Sequence, residues 1–244
     1  MLAAAMNRAV VYHGGPRHPF AVDVLAAQLA QAGFVCELHD DLDAAAVALT
    51  AAPTALFVVH ALRWTMTQHE KYAEDRPHWG MTPSPMARTA ITRYVRGGGG
   101  LFALHTSSIC FDDWPEWGEL LGGRWVWGRS RHPLYGTVAV SLDGTHELAA
   151  GLPNFELQDE AYCQLELQPQ TRVFGWVEAA DGDGTTGLQP ACWVYDCAAG
   201  RAAYLAVGHD ASSLQHPVLA ELTHRAARWA GRLLPTSTGT QTHA

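Results

Sequence analysis

The sequence predicts an α/β fold in which a mostly parallel sheet is flanked by helices and carries additional antiparallel strands in the C-terminal half. In the first half, short apolar runs alternate with helical patterns, which is typical of βαβ units. Three of the runs, AVVY at 9–12, ALFVV at 55–59 and LFAL at 101–104, are apolar without alternation, as strands buried on both faces are. In the second half, turn residues instead of helices separate the runs, which indicates antiparallel pairing.

The predicted elements follow one another in a regular order. In the first half we expect strands at residues 8–13, 34–39, 54–61 and 101–105, and helices at 21–32, 43–50, 85–96 and 115–121. Gly33 and the glycines at 97–100 stop two of these helices. In the second half we expect strands at 135–142, 163–167, 172–177, 191–195 and 202–207, and a closing amphipathic helix at 214–233. The chain should therefore form one domain over residues 8–233, followed by a disordered tail at 234–244.

Composition and charge argue against several classes of protein. Sixteen basic against 24 acidic residues give a net charge of -8, and no basic cluster could neutralise several phosphates, so we expect no nucleic-acid partner. No apolar stretch approaches the roughly 20 residues that span a bilayer. Residues 1–6 do not resemble a signal peptide, so the sequence predicts a cytoplasmic protein without a membrane partner. The 5 cysteines lack C-x-x-C spacing, which argues against a disulfide framework and a zinc ribbon.

Histidines mark the carboxyl ends of the predicted strands. Five of them lie at or next to such an end: His13, His39, His60, His105 and His209. Ligands of open α/β sheets bind at this edge, so we expect several imidazoles to converge on one crevice. His105 lies at a strand-to-helix turn, where a nucleophile elbow would place its reactive side chain, although no G-x-S-x-G motif surrounds it. Neutral imidazoles in these positions can form an acid/base pair or bind a metal, and the sequence leaves both roles open.

Two adjacent carboxylates, Asp159 and Glu160, are further candidates for this crevice. Neighbours in an extended segment point to opposite faces, so only one of them would enter a given site. We predict that Glu160 is the inward acid/base or metal-binding group and that Asp159 fixes the loop; two solvated surface carboxylates are the alternative. His18, in the loop after the first strand, would complete a set of three histidines and one carboxylate for a divalent metal such as Zn, Mn or Fe.

Six short segments resemble the ThuA-like proteins, which are named for trehalose utilisation. In chain order they are RH at 17–18, GGGLFALH at 98–105, LLGG at 120–123, RHP at 131–133, DEAY at 159–162 and GH at 208–209. The similarity extends over residues 8–229. It implies a flavodoxin-like sheet similar to that of class I glutamine amidotransferases, and a role in carbohydrate metabolism. In amidotransferases the elbow carries a cysteine, whereas here His105 takes that place and His209 resembles the later histidine. Cysteine-dependent glutamine hydrolysis is therefore not supported, and Cys110, five residues further on, is not expected to replace the nucleophile.

Other residues near the predicted crevice are candidates for binding a sugar. Trp64 and Trp79 lie in the long connection over residues 62–84 and could stack on a sugar ring, with packing against the core as the alternative. The later tryptophans, Trp114, Trp117, Trp125 and Trp127, are interpreted as a structural cluster. The remaining candidates for substrate binding are His18, His60, Arg131, His132 and Tyr162.

Together these features predict an enzyme that acts on a small carbohydrate or keto-sugar as a hydrolase, lyase or isomerase. His105 and His209 would provide acid/base chemistry, assisted by Glu160. One alternative is a noncatalytic carbohydrate-binding or assembly module on an amidotransferase-like scaffold, since fold does not fix function. Another is a metal-dependent hydrolase of a different substrate class. The expected partner is a small-molecule sugar, and the sequence leaves open whether the chain forms a homo-oligomer.

Overall fold

The computed structural model describes residues 7–15, 21–180 and 186–233. The elements of the first half are β1 (Arg8–Gly14), α1 (Val22–Gln31), β2 (Val35–His39), α2 (Leu42–Ala51), β3 (Leu56–Ala61), α3 (Arg76–Trp79), α4 (Pro85–Arg96), β4 (Gly100–Leu104), α5 (Glu116–Leu121) and β5 (Gly123–Arg124). Those of the second half are β6 (Gly136–Leu142), β7 (Phe155–Asp159), β8 (Glu166–Leu167), β9 (Arg172–Ala180), β10 (Thr186–Cys197), β11 (Gly200–Leu205), α6 (Ala211–Leu214) and α7 (Pro217–Ala230). Short 3-10 helices cover Glu70–Tyr72 and His105–Ser108.

The main sheet joins a parallel half to an antiparallel half. Within the described residues it has 9 strands in the order β2-β1-β3-β4-β11-β10-β9-β6-β7. The pairs from β2 to β11 are parallel, and those from β11 to β7 are antiparallel. The predicted fold, a parallel sheet flanked by helices with added antiparallel strands, is confirmed. His105 and His209 follow β4 and β11, two neighbouring parallel strands, so they meet at one edge.

Helices cover both faces of the parallel strands. The chain moves from β1 to one neighbour through α1 and back across the sheet through α2, and right-handed crossovers place these two helices on opposite faces. α7 packs with α1, and α4 packs with α2. β3 and β4 are therefore buried along their whole length, which explains their continuous apolar sequence. Each buried Leu, Val or Phe side chain contributes roughly 1.5–3 kcal/mol to folding.

The antiparallel half bends back towards the site. β10 carries a β-bulge between Pro190 and Cys192, and bulges bend a strand and increase its twist. Although β7 lies at the far edge of the sheet, its end reaches the turn after β11. The Ser213 hydroxyl of α6 donates a hydrogen bond to the Gln158 carbonyl of β7 at 2.7 Å. This contact holds a third chain segment near the carboxyl ends of β4 and β11.

Three expectations about the second half differ from the structure. Residues 163–167 do not form a continuous strand, because Gln164 has a φ of 55° and only Glu166–Leu167 is a strand. β7 was not expected, although its sequence FELQD alternates between buried and exposed positions. The last helix begins at Pro217 instead of residue 214, because proline at the first turn fixes the helix start.

The predicted tail over residues 234–244 lies outside the described residues. Among the described residues, no helix combines the length and the apolar character needed to cross a lipid bilayer.

Candidate functional site

A cavity of ≈ 640 Å³ lies at the carboxyl ends of β4 and β11. It brings together side chains from the two halves of the sheet and from the long connection after β3. Its polar and charged lining residues are Lys71, Asp75, Thr106, Ser130, Arg131, His132, Glu160 and His209. Its apolar and aromatic lining residues are Leu62, Trp64, Met66, Tyr72, Ile109, Trp125, Trp127 and Tyr162. A concave, largely aromatic site with a few convergent polar groups is typical of small-molecule binding.

His105 is held in a strained backbone conformation directly after β4. Its φ is 45°, in the left-handed region that few residues other than glycine adopt. The Tyr204 hydroxyl donates to the His105 carbonyl at 2.6 Å. The hydroxyls of Thr106 and Ser107 each donate to a carbonyl of β3 at 2.7 Å. These bonds from both neighbouring strands stabilise the turn and fix the imidazole.

The hydrogen bonds of His105 determine which ring nitrogen is available for chemistry. Nδ1 lies 2.8 Å from the carbonyl oxygen of Ala206, which can only accept, so Nδ1 carries a proton. Nε2 lies 3.2 Å from the Tyr162 hydroxyl and 3.5 Å from Glu160 Oε2. Nε2 is therefore the nitrogen that gains or loses a proton.

At His105 and Glu160, nearby charges shift the pKa in the direction opposite to the shift caused by burial. Burial lowers the pKa of His105, but the contact with Glu160 and the charge of Asp159 outweigh it and hold that pKa above the ordinary value. Burial raises the pKa of Glu160, but the contact with His105 and the charge of His132 leave it below the ordinary value. The two directions agree, and both favour an imidazolium paired with a carboxylate.

His209 lies on the other side of this pair. Its ring centroid is 5.2 Å from that of His105. Burial and the charge of His105 lower the pKa of His209, so this imidazole is the neutral one. One ligand atom from each of His105, Glu160 and His209 can be chosen so that the three lie within 4.8 Å of one another, which is a geometry that could hold a divalent metal.

Asp159 is fully buried and connects the segments that carry Glu160 and His209. Its Oδ1 accepts from the Glu160 amide at 2.8 Å, and its Oδ2 accepts from the amides of Gly208 and His209 at 2.8 and 3.2 Å. Oδ1 also lies 3.7 Å from His105 Nδ1. Gly208 has a φ of 120°, which lets the turn present both amides to the carboxylate. Asp159 therefore positions the site without lining the cavity, and Glu160 is the carboxylate that lines it.

The other histidine candidates lie in different environments. His60 is fully buried and is not among the described residues that line the cavity. Burial, together with the charges of His105 and other histidines, lowers the pKa of His60 to about 3. His132 lines the cavity, with Nδ1 3.5 Å from Glu160 Oε1. His18 lies outside the described residues.

The tryptophans that line the cavity and those that pack in the core are not the ones that the sequence predicted. Trp64 lines the cavity, whereas Trp79 packs under the Arg63 guanidinium at 4.6 Å and is not among the described lining residues. Trp125 and Trp127 were expected in a structural cluster, but they line the cavity because they follow β5 and face the connection after β3. The tryptophans that are buried in the core beside Phe111 are Trp114 and Trp117.

Sequence reasoning missed several lining residues and identified others. Arg131 and Tyr162 line the cavity. Lys71 and Tyr72 were not singled out, although Lys71 is the sole lysine of the sequence, which was a usable signal.

Cys110 lies just after the turn that carries His105, and burial raises the pKa of its thiol to about 12. An inert buried thiol of this kind is no nucleophile.

Comparisons with known proteins agree with this architecture. A family model described as ThuA, trehalose utilisation, matches residues 8–230. The chain is similar to a ThuA-like protein from Parabacteroides merdae ATCC 43184, with 18% identity, a TM-score of 0.72, and 92% of this chain and 89% of that chain covered. A ThuA-like protein from Bacteroides uniformis ATCC 8492 gives 18% identity, a TM-score of 0.64, and 93% and 92% covered. A cytoplasmic protein of Salmonella typhimurium LT2 gives 14% identity, a TM-score of 0.55, and 92% and 98% covered. The curated proteins contain no match.

Proposed function

Because the chain belongs to the ThuA family, described by trehalose utilisation, we propose that it is an enzyme that acts on a small sugar or keto-sugar. One observation carries the proposal: side chains of His105, Glu160 and His209, from three distant segments, converge to within 4.8 Å. Glu160 and His209 line a cavity with an aromatic wall. Aromatic rings beside a few fixed polar groups suit a sugar ring, which has apolar C–H faces and polar edges.

The opposite pKa directions of the two histidines suggest their roles. His105 is fully buried and is not among the described lining residues, so it acts as the acid through Tyr162, which does line the cavity. The Tyr162 hydroxyl, 3.2 Å from His105 Nε2, gives its proton to a sugar oxygen and takes the Nε2 proton in its place. His209, whose pKa is lowered by burial, acts as the base and takes a proton from a sugar hydroxyl or from a carbon next to a carbonyl. Environments that push the pKa values of two groups apart are a common way to separate an acid from a base.

The Glu160 carboxylate supports both steps. It stabilises the imidazolium of His105 before proton transfer, and the same contact, together with the charge of His132, holds the pKa of Glu160 below its ordinary value. Asp159 holds the backbone of both segments, so the acid and the base keep a fixed separation. General acid/base catalysis by a positioned group contributes roughly 10² to 10⁴ in rate.

We expect the His105→Ala variant to lose at least about 100-fold in turnover of the sugar substrate. The measurement is an NMR screen of free sugars, disaccharides and their keto derivatives with the wild type, His105→Ala and His209→Ala. His224→Ala, on α7 and not among the described residues that line the cavity, is the matched control and should keep wild-type turnover. If His105→Ala and His209→Ala both left turnover unchanged, the acid/base roles would be wrong. Sugar binding without any chemical change would favour a noncatalytic carbohydrate-binding module.

Metal-assisted chemistry is a second candidate, favoured by the same three ligand atoms. Two imidazoles and one carboxylate suit Zn, Mn or Fe, and a bound divalent ion would polarise a sugar carbonyl or hydroxyl. The Ala206 carbonyl on Nδ1 would orient His105 as a ligand through Nε2.

Elemental analysis separates the two candidates. The wild type and His105→Ala are purified without chelator or metal-affinity steps. Near-stoichiometric metal that falls in His105→Ala supports a metal centre. Turnover by a protein that holds no metal supports acid/base chemistry by the side chains alone.

A further inference from the structure

A second, smaller cavity of ≈ 200 Å³ lies at the carboxyl ends of β1, β2 and β3. It is lined by Tyr12 of β1, by Asp40 directly after β2 and by Arg63 after β3, and it shares no described lining residue with the larger cavity. The chain leaves β1 for β2 on one side and then crosses to β3 on the other. Ligands of open α/β sheets bind where the strand order reverses in this way, so the position of this second cavity suits a ligand.

Tyr12 brings an unused hydrogen-bond donor to the second cavity. Its side chain is 1% exposed, and its ring is stacked on Phe111 with centroids 6.1 Å apart. Because Tyr12 lines the cavity, the little surface that it keeps faces this space. Burial raises the pKa of the hydroxyl, which therefore keeps its proton, and the hydroxyl has no hydrogen-bond partner among the described residues.

The Arg63 guanidinium is a second unused donor. It lies over the Trp79 ring at 4.6 Å, and its buried Nε has no hydrogen-bond partner. In the part of the chain that the structure describes, it forms no ion pair. The backbone of Arg63 is fixed, because its amide donates to Cys110 Sγ at 3.3 Å and its carbonyl accepts from the Phe111 amide at 2.9 Å. A guanidinium and a hydroxyl that are both free to donate suit a carboxylate.

Three aspartates line the same cavity, Asp40, Asp41 and Asp43. Two of them are already engaged. Asp41 Oδ1 accepts from the Ala44 amide at 2.7 Å, and Asp43 Oδ1 accepts from the Ser84 hydroxyl at 2.6 Å. Asp40 has no hydrogen bond or ion pair with the described residues, so its carboxylate is available to a cationic group.

These charges favour a ligand that carries both signs. A simple anion would pair with Arg63 and Tyr12 but would be repelled by the three aspartates. A simple cation would pair with Asp40 but would leave the Arg63 and Tyr12 donors unsatisfied beside it. The aspartates are also not arranged as a metal site, since the group of described residues with that geometry is the one in the larger cavity.

The size of the second cavity limits the ligand to a few heavy atoms. Its volume of ≈ 200 Å³ is below the roughly 300–1,000 Å³ that is typical for drug-sized molecules. Its lining also includes the buried apolar side chains of Leu42 and Pro83. A short apolar substituent between two charged groups fits this lining.

We propose that the second cavity binds a small α-amino acid as its zwitterion. The carboxylate of the ligand accepts from the Arg63 guanidinium and the Tyr12 hydroxyl, and its ammonium group donates to the Asp40 carboxylate. Its side chain packs against Leu42 and Pro83. The inference uses no residue of the proposed sugar chemistry and is independent of it.

An NMR titration of the ¹⁵N-labelled full chain at pH 7 tests the inference with three ligands. Alanine carries both charged groups, propionate lacks the ammonium group, and ethylamine lacks the carboxylate. The indole N–H signal of Trp79, which packs against Arg63, reports binding. We expect alanine to bind at least about tenfold more tightly than either of the other ligands, because each charge-assisted contact contributes roughly 1.5–3 kcal/mol.

Three variants and a control locate the binding. Arg63→Gln should weaken alanine binding at least about tenfold. Tyr12→Phe should weaken it several-fold without lowering the unfolding temperature, because the hydroxyl that it removes has no partner among the described residues. Asp40→Asn should remove the preference for alanine over propionate. Asp196→Asn, on β10 and not among the described lining residues, should bind alanine as the wild type does.

Each outcome decides for or against the amino-acid site. Equal affinity for the three ligands, or no change of the Trp79 signal with alanine, overturns the inference. A preference for alanine that survives in Asp40→Asn, or wild-type alanine affinity in both Arg63→Gln and Tyr12→Phe, also overturns it. The sugar turnover of the wild type is measured separately, so failure of this inference leaves the proposed function standing.

Discussion

Asp159 illustrates, at the scale of single residues, how a side chain outside the cavity determines the arrangement within it. Its carboxylate accepts three backbone hydrogen bonds, from Glu160, Gly208 and His209, and is fully buried. Charge-assisted bonds of this kind are stronger than neutral ones. The side chain therefore connects β7 to the turn after β11, and the positions of Glu160 and His209 depend on it.

The first prediction concerns Asp159→Asn. The amide group would place an N–H2 against backbone N–H donors, so we expect the free energy of unfolding to fall by about 3 kcal/mol. Urea unfolding followed by circular dichroism measures it. Asp196→Asn removes an exposed partner of Arg172 and should change stability by less than about 0.5 kcal/mol. Equal small changes in both variants would show that Asp159 has no positioning role.

The second prediction concerns the buried His60. Its pKa is lowered to about 3 in the folded protein, against 6.5 in the unfolded chain, so only the unfolded chain takes up the proton between these values. The stabilisation that this histidine contributes is complete above pH 6.5 and is lost as the pH falls towards 3. Between these pH values, this histidine makes the free energy of unfolding fall by about 1.4 kcal/mol for each pH unit of acidification.

Urea unfolding at pH 6.5, 5.5 and 4.5 checks the contribution of His60. The wild type should lose stability more steeply than His60→Gln, by roughly that slope. Parallel pH profiles for the two proteins would contradict the assignment of a neutral buried imidazole to this position.

At the scale of elements, local sequence patterns were enough to predict some helices and strands but not others. The sequence alone correctly predicted α4, because a helical pattern begins at Pro85 and runs into the glycines that start at Gly97; in the structure the Ser84 hydroxyl also caps its first turn. β7 shows a period of two that was available but overlooked. The break at Gln164 could not be foreseen, because a positive φ at a glutamine is imposed by tertiary hydrogen bonds, here the one from its amide to Gln189 Oε1.

The connection between β3 and α4 is the element that closes the cavity, and it is anchored mainly through Asp112. This carboxylate accepts from the amide and hydroxyl of Thr65, at 2.7 and 2.6 Å, and from the Gln68 side chain. Lys71 lies beyond this anchor. Since it is the sole lysine, protease Lys-C has one target bond in the chain.

The third prediction uses this single cleavage site. A bound sugar should slow Lys-C cleavage after Lys71, because the ligand contacts the segment that must open for cleavage. Asp112→Asn should speed cleavage several-fold by loosening the anchor, and Asp196→Asn, on β10, should not. Gel electrophoresis with mass determination measures the rate. Identical rates in all three proteins would show that Asp112 does not restrain the connection.

At the scale of the whole molecule, contacts between distant segments assemble the site. His105 and His209 follow neighbouring parallel strands, so their proximity could be predicted from the sequence. Glu160 follows β7, which is four places from β11 in the strand order. Its arrival at the same edge is fixed by long-range contacts, such as those of Asp159 with the Gly208 and His209 amides, which no local pattern encodes. The roles of Trp125 and Trp127 escaped sequence reasoning for the same reason.

The central claim is that His105 and Glu160 act together on a sugar, and a double-mutant comparison of turnover tests it most directly. The measurement is kcat/KM for His105→Ala, Glu160→Gln and the double variant on the sugar that the wild type converts. If the two residues act as one acid unit, each single variant should lose about 100-fold or more, and the double variant should lose little beyond the worse single variant. Losses that multiply in the double variant, or wild-type turnover in either single variant, would contradict the account.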